Sequence, residues 1–170
     1  MSTAAIGLGA NLGDRMGALQ GAVDGLDRVP GARVLAVSGV YETDPVGGPE
    51  QDDFLNAVAV IDFDGTPRDL LTACQAIEAD WHRTREVHWG PRTLDVDILC
   101  IDDVISDDPV LTLPHPRAAE RAFVCVPWLD ADPDAQLPGV GPVRECVARL
   151  DGSGVRARPD LALQLPERRA

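Results

Sequence analysis

Apolar residues recur along this chain at two spacings, and the switches between them mark the elements. Residues 3–8 form a short apolar run closed by glycines, the pattern of a buried strand. Asp14 stands where a helix cap is needed, and Leu19, Ala22, Val23 and Leu26 then fall at the spacing that lines one side of a helix, ended by Pro30 and Gly31. Residues 34–41 are rich in β-branched side chains and predict a second strand. The next stretch, ETDPVGGPEQDD at 42–53, combines turn formers and acids without period and predicts a loop. Residues 54–61 predict a third strand, turned at Asp64-Gly65. Thr66-Pro67 opens a second helix with proline at its first position, and Leu70, Cys74, Ile77 and Trp81 form its buried stripe. After an arginine-rich loop, residues 94–101 predict a fourth strand.

The remainder is less regular. Residues 107–126 read as irregular chain with short helices, and 143–150 as one more helix. The final stretch reads as loosely held, although Leu161, Leu163 and Leu165 alternate as a docked edge strand would. Because 42–53 carries no helical pattern, strands two and three are expected to lie antiparallel. The predicted fold is therefore α+β: a ferredoxin-like βαββαβ sandwich, mostly antiparallel, with a domain over residues 1–150 and a C-terminal tail over 151–170.

Charge narrows the function. The 170 residues carry 15 basic and 28 acidic side chains, a net charge of −13, which disfavours nucleic-acid and membrane-surface partners. Every basic side chain is arginine, so lysine Schiff-base chemistry and a phosphate loop ending in Gly-Lys are excluded. Cys74, Cys100, Cys125 and Cys146 are widely spaced and read as reduced core residues. The N-terminus has neither a basic leader nor a long apolar run, so a cytoplasmic location is expected; the partners expected are small molecules, and the protein is expected to be a monomer.

Three features carry chemistry. Gly7, Gly9 and Gly13 lie between a strand and a helix, as in a dinucleotide fingerprint, but Leu12 stands where the third glycine belongs. A tight turn into a helix cap is the better reading. Asp95 and Asp97 alternate with Leu94, Val96 and Ile98, so both carboxylates share one face of the strand. They form either a magnesium site or a solvated polar face. Just upstream, RTREVHWGPR at 83–92 sets Arg83, Arg85 and Arg92 against a single acid, Glu86. Such a surplus suits a polyphosphate, or else surface ion pairs.

Aromatic residues are scarce, which draws attention to their placement. Phe54 and Asn56 share a strand face, offering a flat apolar surface beside an amide, as a planar heteroaromatic ring would need; Phe54 and Phe123 read equally as core. Trp89 sits in the arginine loop. His115, between two prolines and near Arg121, reads as a nucleotide contact or a capping residue. Gln75 and Glu78 share a helix face that either meets a nucleotide or simply faces water.

The segment WGPRTLDVDIL at 89–99 resembles the motif of the 6-hydroxymethyl-7,8-dihydropterin pyrophosphokinases. GANLGDR at 9–15, YETDPVG at 41–47, FLNAV at 54–58 and LPHPRAAERAFV at 113–124 resemble the same family in the same order. The resemblance implies a ferredoxin-like α-β-α fold and transfer of the pyrophosphoryl group of ATP to the pterin hydroxymethyl group, with release of AMP and use of two Mg2+ ions. It implies Asp95 and Asp97 as metal ligands and Arg83 and Arg92 as catalytic arginines. Thr43, Val46, Phe54, Asn56, Trp89 and Phe123 become the pterin contacts. Gln75, Glu78, Arg85, Ile98, Thr112, His115 and Arg121 become the ATP contacts. Asp44, Phe54 and Val110 stand where some members carry Pro, Tyr and Arg, and the 85–89 loop is one residue shorter than in some. The loops at 42–53 and 82–93 are expected to act as lids over the reaction. A different magnesium-dependent phosphotransferase or hydrolase, and a catalytically silent ferredoxin-like binding module, are the competing readings.

Overall fold

The computed structural model describes residues 1–11, 13–43, 53–84 and 94–166, for 82–84 the backbone alone. In chain order the elements are β1 (Ser2–Ala10), α1 (Arg15–Arg28), β2 (Ala32–Val37), β3 (Tyr41–Thr43), β4 (Phe54–Phe63) and α2 (Pro67–Thr84). There follow β5 (Leu94–Ile101), a hairpin of β6 (Ser106–Asp108) and β7 (Leu111–Leu113), and a 3-10 turn at Ala118–Glu120. The chain continues through α3 (Ala122–Ala131), a hairpin of β8 (Gln136–Leu137) and β9 (Gly141–Pro142), α4 (Val143–Arg149) and β10 (Val155–Ala157).

The main sheet runs β10-β3-β4-β1-β5, with β2 also paired to β4, and every pairing in it is antiparallel. This is the ferredoxin-like order, and the βαββαβ expectation holds. Among the described residues no strands of this sheet pair in parallel, as a doubly wound fold requires, so the dinucleotide reading of Gly7, Gly9 and Gly13 falls.

Alternation along the central strands sets the two faces. Ala4, Ile6, Leu8 and Ala10 of β1 and Leu55, Ala57, Ala59 and Ile61 of β4 pack with Leu19, Ala22, Val23, Leu26, Leu70 and Cys74 of α1 and α2. Ala5 and Val58 pack on the other face with Val124, Cys125 and Trp128 of α3 and Val143 and Cys146 of α4. Ile6, Leu19, Leu26, Ile61 and Leu70 are fully buried, each worth about 1.5–3 kcal/mol in apolar burial. Asp14 caps α1 as expected, its Oδ1 accepting from Gly17 N at 2.9 Å.

Three expectations change. The strand read at 34–41 is two strands, because the Ser38 hydroxyl takes the Val58 N–H at 2.9 Å and Gly39 N turns to Asp130 Oδ2 at 2.8 Å. Both interrupt the ladder that β2 and β3 otherwise continue along β4. The stretch at 107–126 does hold short helical pieces, the 3-10 turn and the first half of α3, but it also holds nearly all of the β6–β7 hairpin, which was not expected. Helix α3 escapes a periodicity reading because AFVCVPWLDA is apolar on nearly every side and contains Pro127. Beyond residue 150, the edge strand is β10 at Val155–Ala157 and not the leucine alternation. Pro159 has no N–H to give a ladder, Leu161 N turns back to Arg158 O, and Leu163 is nonetheless buried.

Candidate active site

On the α3 face of the sheet a cleft of about 270 Å³ opens over the C-terminal half of β1. Its floor is made by glycines. Gly9 lies between Asn56 on β4 and Asp95 on β5, and Gly7 between Val58 and Asp97. A Cβ on Gly9 would lie 3.1 Å from Asn56 Oδ1, and one on Gly7 3.2 Å from Leu99 Cδ2. The two missing side chains leave a trough across the sheet that joins the carboxylates to the amide.

Period two puts Asp95 and Asp97 on this face, exposed to the cleft, while Leu94, Val96 and Ile98 turn into the core. A register shift opposite Ala5/Ile6 leaves Leu99 as the extra residue of β5, and Leu99 closes the floor. Asn56 is buried, and its Nδ2 donates to Thr43 Oγ1 at 2.8 Å. That bond fixes the amide with Oδ1 turned towards the trough. Phe54 from β4 and Phe123 from α3 line the same cleft, and the Arg121 guanidinium lies over the Phe123 ring at 5.5 Å.

His115 completes the rim. Its N–H donates to Leu99 O at 2.8 Å, and its Nδ1 accepts from Arg117 N at 3.2 Å. The neutral ring therefore carries its proton on Nε2. Burial lowers its pKa below the ordinary 6.5; Asp97 pulls the other way, and Arg121 and Arg117 add to the fall.

The structure thus gathers Thr43, Phe54, Asn56, Asp95, Asp97, His115, Arg121 and Phe123 around one cavity. Four expected contacts stand elsewhere. Ile98 is buried in the core, because its neighbour Asp97 takes the cleft side. Gln75 is exposed on α2, and Thr112 donates to Asp108 O at 3.0 Å within its own hairpin. Glu78 reaches the outer edge of β5, where its Oε2 accepts from Val96 N at 2.8 Å. Arg83 lies in the last turn of α2, and Val46, Arg85, Trp89 and Arg92 lie outside the described residues. Gly7, Leu8, Gly9, Leu99 and Val124 also line the cleft without having been anticipated. The signal for the two glycines was present: glycines two apart on a strand share a face, by the argument that pairs the aspartates.

Among the described residues no group of three or more His, Cys, Asp or Glu could enclose a metal ion. Two hard carboxylates opening on a cleft nevertheless fit magnesium, which takes one or two carboxylates and completes its shell with water and phosphate oxygens. No described helix is long and apolar enough to cross a membrane.

Comparison with known proteins identifies the family. The model of the 7,8-dihydro-6-hydroxymethylpterin-pyrophosphokinase (HPPK) family matches residues 5–133. The 2-amino-4-hydroxy-6-hydroxymethyldihydropteridine pyrophosphokinase of Methylorubrum extorquens is 46% identical over 155 residues, covering 91% of this chain and 98% of that protein. The protein of the same name from Pseudomonas aeruginosa is 41% identical over 154 residues, covering 91% and 95%. Among solved structures, wild-type Plasmodium falciparum HPPK-DHPS with STZ-DHP superposes at a TM-score of 0.65 with 13% identity, covering 87% of this chain. The chain spans 43% of that longer one, and at this identity the likeness speaks for the fold alone. With a family model over most of its length and relatives above 40% identity, this chain belongs to the HPPK family.

Proposed function

We propose that the protein transfers the pyrophosphoryl group of ATP to the hydroxymethyl oxygen of 6-hydroxymethyl-7,8-dihydropterin, releasing AMP, in folate biosynthesis. The observation that carries this reading is the trough itself. It sets a keyed amide and two aromatic rings, suited to a planar heteroaromatic substrate, beside two carboxylates suited to a metal–phosphate group.

Asn56 Oδ1 and the main chain around Thr43 would meet the polar edge of the pterin, with Phe54 and Phe123 packing against its ring faces. Asp95 and Asp97 would hold Mg2+, two ions in all, together with the triphosphate. Magnesium bound there supplies positive charge that neutralises phosphoryl oxygens. His115 Nε2–H and the Arg121 guanidinium are donors on the same rim and would bind phosphate or ribose oxygens. Arg83 and Arg92 remain the assigned catalytic arginines, and Val46 and Trp89 the assigned pterin contacts. Arg85 and, through groups other than the Ile98 side chain, the positions at 75, 78, 98 and 112 remain the assigned nucleotide contacts.

In the step itself the pterin hydroxyl oxygen attacks the β-phosphorus. Its bond forms as the bond from that phosphorus to the α,β-bridging oxygen breaks, AMP leaves with the bridging electrons, and the hydroxyl proton passes to water. Fixing both reactants in one trough removes the entropy of bringing them together. No covalent enzyme intermediate is required. Four free, buried cysteines suit a reducing compartment, and we read the protein as a cytoplasmic monomer.

Product analysis tests the reading. Protein, ATP, Mg2+ and the reduced hydroxymethyl pterin should yield AMP and the pterin diphosphate in equal amounts. ADP with a pterin monophosphate, or inorganic phosphate alone, would contradict it.

A further inference from the structure

Residues 153–160 lie beyond the part of the chain that the family model matches, yet they are tied to the wall of the cleft. The wall strand β3 has three residues, too few for a ladder alone to set its register firmly. Its alternation places Thr43 on the cleft face and Glu42 on the opposite face, beside the start of α1. Three arginines converge on Glu42: Arg15 at 3.4 Å, Arg158 at 3.3 Å and Arg156 at 3.8 Å. Arg156 stands directly across from Glu42 in the β10–β3 pairing. It also reaches Asp53 Oδ2 at 2.9 Å, while Arg15 Nη1 donates to Asp53 O at 2.8 Å. Glu42 and Asp53 are the neighbours of Thr43 and Phe54, which pair across β3 and β4 at the cleft.

We propose that Arg156 and Arg158 of the C-terminal segment are positioning residues for the pterin wall, locking the β3 register through Glu42 and Asp53. A slip of one residue would carry Thr43 to the far face and Glu42 into the cleft, and Asn56 would lose the hydroxyl that orients its amide. The clamp touches no substrate. It acts through Thr43, Asn56 and Phe54, and so rests on the pterin-binding reading of that wall. Single exposed ion pairs contribute little, but here several share one carboxylate whose side chain is only 19% exposed.

The test compares the full-length protein with R156A/R158A and R156K/R158K. Binding of the hydroxymethyl pterin and of ATP is measured separately, with the melting temperature and the side-chain amide NMR signal of Asn56. R156A/R158A should weaken pterin binding about tenfold, roughly 1.4 kcal/mol. It should shift the Asn56 amide signal and leave ATP affinity within about twofold. Lysines should restore part of the loss, since they keep charge without the planar fork. Should the double variant not fold, D53N breaks one arm alone and should change pterin affinity and the Asn56 signal in the same direction. Unchanged pterin affinity and an unmoved Asn56 signal would overturn the clamp, as would equal loss of both ligands alongside a falling melting temperature. An unmodified protein that binds no pterin would instead refute the substrate, while the Asn56 signal still reports on the clamp.

Discussion

At the scale of single residues, what is missing matters as much as what is present. Gly9 has an ordinary strand conformation that alanine can adopt, so Gly9→Ala should fold; its methyl group would press on Asn56 Oδ1 at 3.1 Å. Overpacking of this kind costs about 1–3 kcal/mol, and here it falls on the ligand's place in the trough. We expect pterin affinity to drop about tenfold or more with little change in ATP affinity; calorimetric titration of each ligand checks this. His115 supplies a pH prediction. Its folded pKa lies below 6.5, so on acidification the unfolded chain takes up this proton first. Stability from this group is complete above pH 6.5 and drains as pH falls towards the folded pKa. An NMR titration should place the midpoint below 6.5, and His115→Gln should flatten that part of the stability–pH curve. The chemistry-bearing residues on β4 and β5 were legible from sequence because strand period two alone decides their face. Gly7 and Gly9 were misread as turn formers, since a glycine pattern says only that side chains are absent and not why.

Elements show why some assignments were within reach and others were not. β5 was predicted with its observed bounds, and its alternation of core and cleft follows from LDVDI. The same alternation turns the Ile98 side chain away from the cleft, a point the family resemblance alone does not reveal. Asp95 and Asp97 share one face of that strand, where like charges repel, so Asp97→Ala should leave the melting temperature unchanged or slightly higher. Turnover should nevertheless fall by on the order of a thousandfold, because the magnesium that neutralises phosphate charge would lose one of its two carboxylate ligands. Steady-state rates and thermal melts on the same sample check both halves. By contrast, α3 was not legible: its near-uniform apolar surface reflects burial between the sheet and α4, and burial of that kind erases amphipathic period. The split of β2 from β3 was equally hidden, since it depends on Ser38 and Gly39 finding partners on β4 and α3, remote in sequence.

Across the whole molecule, function follows from dividing the sheet between two tasks. The face under α1 and α2 is packed core, while the opposite face is shared between α3 and α4 packing and the open trough. Topology could be inferred because short connections leave few antiparallel arrangements. The docking of residues beyond 150 could not, because RARPD shows its meaning only once Glu42 and Asp53 stand opposite. The central claim is that one trough seats the pterin beside the carboxylates that anchor ATP. A crystal structure with Mg2+, a non-hydrolysable ATP analogue and 6-hydroxymethylpterin measures that directly. The account predicts the pterin ring between Phe54 and Phe123, its edge on Asn56, and metal density at Asp95 and Asp97 with the hydroxymethyl oxygen facing the β-phosphorus. Pterin or nucleotide seated outside the trough, or metal bound away from both aspartates, would contradict it.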